Sequence, residues 1–339
     1  MTRVLLACAL GLAGALLGMA AGLPAPALLG STLLVGAASI AQVPLAVPDG
    51  PRNLAFATIG CSLGSGITPH FVDDLARWPV SLALLALAVV TIMVVSTLIL
   101  VKGFGQEPED AVLATAPGAL SYALALAVSR RRDLQSIMVF QTLRLMAITL
   151  TLPPVLQLVG EPGQFWSGLS DAVVPYAAAL PTLAVAFAAG TLGARRGMPA
   201  AHLLAGMLAS GALHVTGVVE GRFPPLLMLC GFAVTGAVVG VRFGKITFAD
   251  LRRLAGASAT VIATSVTLSA LFALAAARAA HIPFGQAWVA FAPGGVEAMA
   301  AMGLALGYDP AFVATHHLLR IVLVILILPL LVARARRWI

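Results

Sequence analysis

Charge is scarce in this chain. Only 10% of its 339 residues are Asp, Glu, Lys or Arg, against roughly 25% in a soluble domain. That is too little to clothe a core in water. Cysteine is scarcer still: Cys8, Cys61 and Cys230 stand alone in apolar segments, which excludes a cysteine zinc cluster and gives no basis for a disulfide framework. The 6 histidines are scattered, so neither a metal site nor a cofactor is expected. No basic stretch is interleaved with aromatic residues, which speaks against direct nucleic-acid contact in spite of a net charge of +7.

What is abundant is apolar: 60% of residues are hydrophobic. They run in stretches of about 20 between short polar clusters, the length that crosses a bilayer as helix. Unsatisfied backbone groups are costly in lipid, so spans are helices or closed barrels. Barrel strands alternate apolar and polar residues, and these runs do not. The sequence therefore predicts an all-α polytopic membrane protein, a single membrane domain over 1–339. Residues 4–22 imitate a signal peptide, but the repeat described next reads them as a retained span.

Aligning Pro117-Gly118 with Pro293-Gly294 gives an offset of 176 residues. At that offset Asp133 falls on Asp309, Arg144 on Arg320, Pro153 on Pro329, Asp74-Leu75 on Asp250-Leu251, Gly60 on Gly236, Gly64 on Gly240 and Gly30 on Gly206. The glycine pairs read as close-packing positions. The coincidences predict a duplication, with repeat 1 at 1–160 and repeat 2 at 171–339. Segments are expected near 4–22, 26–46, 53–70, 79–101, 109–128 and 134–158, then 175–194, 199–218, 224–243, 256–279, 285–306 and 310–333. The fifth of each set is short and broken by Pro-Gly.

The distribution of positive charge bears on whether that fifth segment crosses. If it crosses, 8 Lys/Arg fall inside and 10 outside; if it turns back, 15 fall inside and 3 (Arg77, Arg222, Arg278) outside, Arg144 and Arg320 completing the 20 in either case. The second count predicts inverted repeats, each of five transmembrane helices plus one re-entrant Pro-Gly hairpin, about ten spans in all. Both termini are then cytoplasmic and the site is the bacterial inner membrane. Inverted repeats with interrupted helices at the midplane point to a secondary transporter.

Candidate residues cluster at the breaks. Asp133 and Asp309 precede the last spans as N-caps. Arg144 and Arg320 lie about 16 Å deeper along those helices, where a charge costs about 2.5–3.5 kcal/mol or more. Each can bond the free carbonyls of a broken segment or attract an anion. Pro117, Gly118 and Ser121 mark the first break; Pro293, Gly294, Gly295 and Glu297 mark the second. Glu297 is a candidate coupling acid, with Ser121 in its place in repeat 1. His316 and His317 sit four and three residues before Arg320, where a relay with Glu297 is conceivable and polar packing is an equal alternative. Gln141 holds the His317 position in repeat 1. His214 reads as a packed residue; His70, His202 and His281 read as interfacial.

The stretches APGGVEAMAAMGLALGYDPAFVATHHLLRIVLVILILPLL (292–331) and APGALSYALALAVSRRRDLQSIMVFQTLRLMAITLTLPPVL (116–156) resemble the bacterial AbrB family of duplicated membrane proteins. The PGG-x-E-A-M tip and the D-x-A-F-V-A-x-H-x-L-R stretch carry the likeness, which covers essentially the whole chain. Repeat 1 departs from it at Ser121 and at Phe140-Gln141. Family members bear provisional labels as regulators of gene expression or as ammonia monooxygenases. The residues support neither label, since no DNA-binding segment and no metal constellation is visible, and the chain is not expected to be an enzyme. The name is shared with a soluble DNA-binding protein that this chain does not resemble. The expected partners are the lipid bilayer, a small anion and, by analogy of architecture, a second copy of the chain. A membrane sensor acting indirectly on gene expression is the alternative function, and a membrane metalloenzyme a distant third.

Overall fold

Proline opens many of the helices, as its fixed φ and missing N–H favour. The computed structural model describes residues 2–67, 78–118, 120–159, 163 and 172–335. The helices are α1 Thr2–Ala20, α2 Pro26–Ile40, α3 Asp49–Gly64, α4 Pro79–Leu98, α5 Pro108–Thr115, α6 Leu120–Ser129, α7 Leu134–Val159, α8 Tyr176–Arg195, α9 Ala201–Val215, α10 Pro225–Val241, α11 Phe248–Ala280, α12 Phe284–Phe291, α13 Val296–Ala305 and α14 Pro310–Arg334. Among the described residues the only β contact is an isolated bridge between Val173 and Arg222. Among the described residues seven helices are long and apolar enough to cross a membrane: α1, α4, α7, α8, α10, α11 and α14. The protein is an all-α polytopic membrane protein.

Each fifth segment is two short helices, α5 and α6 or α12 and α13, broken at the Pro-Gly positions. The other boundaries differ from expectation for local reasons. The 26–46 segment stops at Ile40 because Gln42 is left-handed (φ 60). The 199–218 segment stops at Val215, before Gly217 at φ 70. The 256–279 segment starts earlier, at Phe248, because Thr247 and Asp250 form a capping box. His70 and the Asp74-Leu75 pair lie outside the described residues.

The chain divides into two compact units, and each draws on both halves of the sequence. One comprises residues 1–77, 152–244 and 297–314; the other 78–151, 245–296 and 315–339. In the first, α3 packs on α9 and α10 packs on α2. Gly60 meets the Leu203 carbonyl and Gly236 meets the Leu28 carbonyl, so close that a Cβ at either would collide with backbone. Gly60 and Gly236 are 176 apart, but Leu28 and Leu203 are 175 apart. The left-handed Ala25 and Ala200 repeat the 175 spacing. Gly30 is therefore displaced by one residue from Gly206; Ser31 is the residue that meets Gly236 as Gly206 meets Gly60.

In the second unit α4 runs antiparallel along α11. Ser96 and Ser265 hydroxyls stand 3.4 Å apart at one level, and the Phe104 ring covers Gly256 at another. The first broken segment folds back on itself. Arg132, three residues past α6, places Nε 2.8 Å from Asp110 Oδ1 at the start of α5, with Glu107 and Glu109 at 3.5 and 3.9 Å from its other nitrogens. Helices α5 and α6 laid end to end would span about 27 Å, so this ion cluster requires a return to the side of entry.

Candidate functional site

α5 ends at Thr115 and α12 at Phe291, each followed by an extended residue, Ala116 or Ala292. The last carbonyls of a helix have no partner within it. At these breaks they also carry the negative end of the helix dipole. An arginine from a last helix meets each set. Arg144 of α7 donates from Nη1 to Thr115 O and from Nη2 to Ala116 O, both at 2.8 Å. Arg320 of α14 donates from Nη1 to Ala292 O and from Nη2 to Gly294 O, the latter at 2.6 Å. Arg144 to Ala116 and Arg320 to Ala292 are the same bond at the same offset.

One turn earlier a second polar side chain repeats the pattern. Gln141 Nε2 donates to Leu113 O at 2.9 Å, and His317 Nε2 stands 3.0 Å from Val289 O. A carbonyl can only accept, so His317 carries its proton on Nε2, and its buried Nδ1 has no partner. His316 Nε2 lies 2.9 Å from Ser81 Oγ, with the rings of Trp78 and Phe291 centred 6.2 and 6.0 Å away. The two histidines thus hold α12 and α4 in place.

The arginines are nearly inaccessible, Arg144 at 4% and Arg320 at 1%. Neither has a carboxylate within ion-pair distance among the described residues. Both Nε atoms are buried without a partner. The two positive charges also act on one another. A buried cation is ordinarily paired, because the effective desolvation penalty is several kcal/mol per ion. Here, among the described residues, carbonyl dipoles supply the compensation.

The tips converge on Arg320. Gly118, at φ 77, lies against it: a Cβ there would stand 2.9 Å from Nη2 and 3.2 Å from Nε. Gly295 has Leu145, the neighbour of Arg144, 3.5 Å from its own Cβ position. Pro117, Pro293 and Gly294 are buried at the same breaks. The Ser121 side chain lies outside the described residues, although its backbone belongs to α6. Glu297 opens α13 and groups with the other unit. There its charge acts on Arg242 at the end of α10, a residue sequence reasoning did not single out. Position 66, its counterpart in repeat 1, is Gly66.

Asp133 and Asp309 cap the last helices as expected. Asp133 accepts from Ser136 N at 3.1 Å and Ser136 Oγ at 2.6 Å. Asp309 accepts from the amides of Ala311 and Phe312 at 2.9 and 3.2 Å. His214 is a packed residue, bonded to Ser210 O and Gly221 O. His202 is buried against Phe187 rather than interfacial.

A family model described as Transition state regulatory protein AbrB matches residues 28–336. A protein of Escherichia coli (strain K12) named "Putative regulator AbrB" is 25% identical over 325 residues, covering 94% of this chain and 92% of its own length. The chain belongs to the AbrB family.

Proposed function

We propose that this protein is a secondary transporter of a small anionic solute in the bacterial inner membrane, its site built where Arg144 and Arg320 meet the two broken segments. One observation carries the reading: two buried guanidinium groups, each tied to neutral carbonyls, each with a free Nε, and neither paired with a carboxylate among the described residues. An anion arriving between them replaces charge–dipole compensation by charge–charge compensation. The two halves, 1–160 and 171–339, are inverted repeats in this reading, with ten spans and cytoplasmic termini. The count of 15 basic residues against 3 and the return of the α5–α6 segment support that topology. Broken helices at a midplane site follow the usual logic of such carriers.

Glu297 is the coupling residue in this scheme. It is the acid at a tip, and its charge acts on Arg242. Neutralising it by protonation removes that attraction, so a proton can bias the position of α13. The test is flux in proteoliposomes: a substrate gradient that drives uptake in wild type, no uptake in Arg320→Gln, and uptake in Glu297→Gln that no longer follows a pH gradient. Retention of pH coupling in Glu297→Gln would remove that residue from the scheme.

The family description and the relative's name favour a second reading, a membrane sensor that acts on gene expression indirectly. It predicts ligand binding without flux and a stoichiometric cytoplasmic partner recovered by pull-down.

A further inference from the structure

α4 stops being an α-helix at Leu98 and continues as a π-helical turn over Ile99–Gly103. The counterpart stretch 176 residues later, 275–279, lies inside the uninterrupted α11. A π turn carries an extra residue and displaces the side chains around it, and such turns recur at functional sites. Beside this one an open groove of about 600 Å³ runs along α4, lined by Val95, Leu98, Ile99, Lys102, Phe104 and, across from them, Thr260 of α11. From Val95 to Phe104 it is about 14 Å long. Phe104 is 41% exposed and forms one wall. The Thr260 hydroxyl donates to Gly256 O, so that wall offers no free donor. The body of the groove is hydrocarbon.

Its end is charged. Lys102 is exposed in the last turn of the span Pro79–Gly103. Arg252 is exposed one turn before Gly256, on the same face of α11, and Phe104 lies on Gly256. Neither cation has a carboxylate within ion-pair distance among the described residues. An apolar trough with Lys102 in its lining, and a second exposed cation, Arg252, on the facing helix one turn before the glycine that Phe104 covers, suits an occupant with a hydrocarbon tail and an anionic head. We propose that the groove binds an anionic phospholipid, with an acyl chain along Val95, Leu98 and Ile99 and the headgroup phosphate at Lys102 and Arg252. The inference rests on the membrane fold and is independent of transport.

A lysine that merely extends its amine to the interface would be indifferent to headgroup and to the groove. The protein holds its own control: Arg278 occupies the position 176 residues after Lys102, exposed near the end of α11 with no π turn beside it. The test is native mass spectrometry of the full chain, released from detergent containing equal amounts of dioleoyl phosphatidylglycerol and dioleoyl phosphatidylcholine. Wild type should retain phosphatidylglycerol in preference. Lys102→Gln should lower that retention about fivefold, the effect of one cation at an anionic lipid. Thr260→Trp, which fills an exposed trough, should lower retention of both lipids at an unchanged unfolding temperature. Arg278→Gln should behave as wild type. Equal retention of the two lipids by wild type would overturn the proposal. So would wild-type retention in Lys102→Gln, an equal loss in Arg278→Gln, or binding of glycerol 1-phosphate as tight as that of the lipid.

Discussion

The two broken segments share a mechanism of support and differ in how they are closed. In both, an arginine from a last helix bonds the carbonyls at the break, and Gln141 or His317 bonds a carbonyl one turn earlier. The first, α5–α6, is also tied at its base by Arg130 and Arg132 with Glu107, Glu109 and Asp110, and it lies wholly in one unit. At the corresponding positions the second has Pro283, Gly285, Gln286, Leu306 and Tyr308, none of them ionic, and its α12 and α13 are divided between the units. The acid Glu297 is on the segment without the ionic tie. The support is shared and the ionic tie is not: both arginines hold polar backbone deep in the protein, while the acidic and basic residues that close the first segment at its base have no ionic counterparts in the second.

The largest expected effects test the shared part. Arg320→Met and Arg144→Met each strand two buried carbonyls, at about 1–3 kcal/mol apiece, so both variants should unfold at markedly lower temperature in detergent. A large loss for one and none for the other would break the equivalence. Gly118→Ala should come next, at about 1–2 kcal/mol for a left-handed alanine, with a further cost from the 2.9 Å approach to Arg320. Gly295→Ala, with ordinary contact to Leu145, should be nearly neutral.

Smaller effects test the difference. Arg132→Gln should speed hydrogen exchange at residues 120–129 while leaving 296–305 unchanged, and 1 M salt should weaken the same ties in wild type, since the cluster is only partly buried and open to screening. Asp110 bonding holds the Arg132 guanidinium above its usual pKa, so the cation is constant across accessible pH. The smallest effect concerns Asp133. Burial pushes its carboxyl up, but the Ser136 hydroxyl and amide outweigh that and hold it below the usual range. A depressed folded value means the cap contributes fully above the ordinary carboxylate pKa and is lost as pH falls through the folded one. Thermal unfolding of Asp133→Asn should therefore lose less on acidification than wild type.

Much of this was legible in the sequence. A Pro-Gly break, a cap and a buried arginine are local or periodic features, and the 176-residue offset brought them into register. The ion cluster was not, because Asp110 and Arg132 are 22 residues apart and meet only if the segment returns, which charge counting favoured without placing the pair. The one-residue slip at Gly30 arises because small residues pack interchangeably: Ser31 fills the place of Gly206 as well as glycine does. The π turn at Ile99–Gly103 has no proline or glycine within its start to announce it. Arg242 is one of the 15 basic residues on the inner side of the charge count, and its relation to Glu297 depends on helix packing.

The central claim is that the buried arginine pair binds an anion that the protein moves. It is tested most directly by uptake of labelled small carboxylates and inorganic anions into proteoliposomes, wild type beside Arg320→Gln and Arg144→Gln. The account predicts gradient-driven uptake of at least one anion by wild type and its loss in both variants. Wild-type uptake by a folded Arg320→Gln, or no uptake of any anion by wild type, would contradict it.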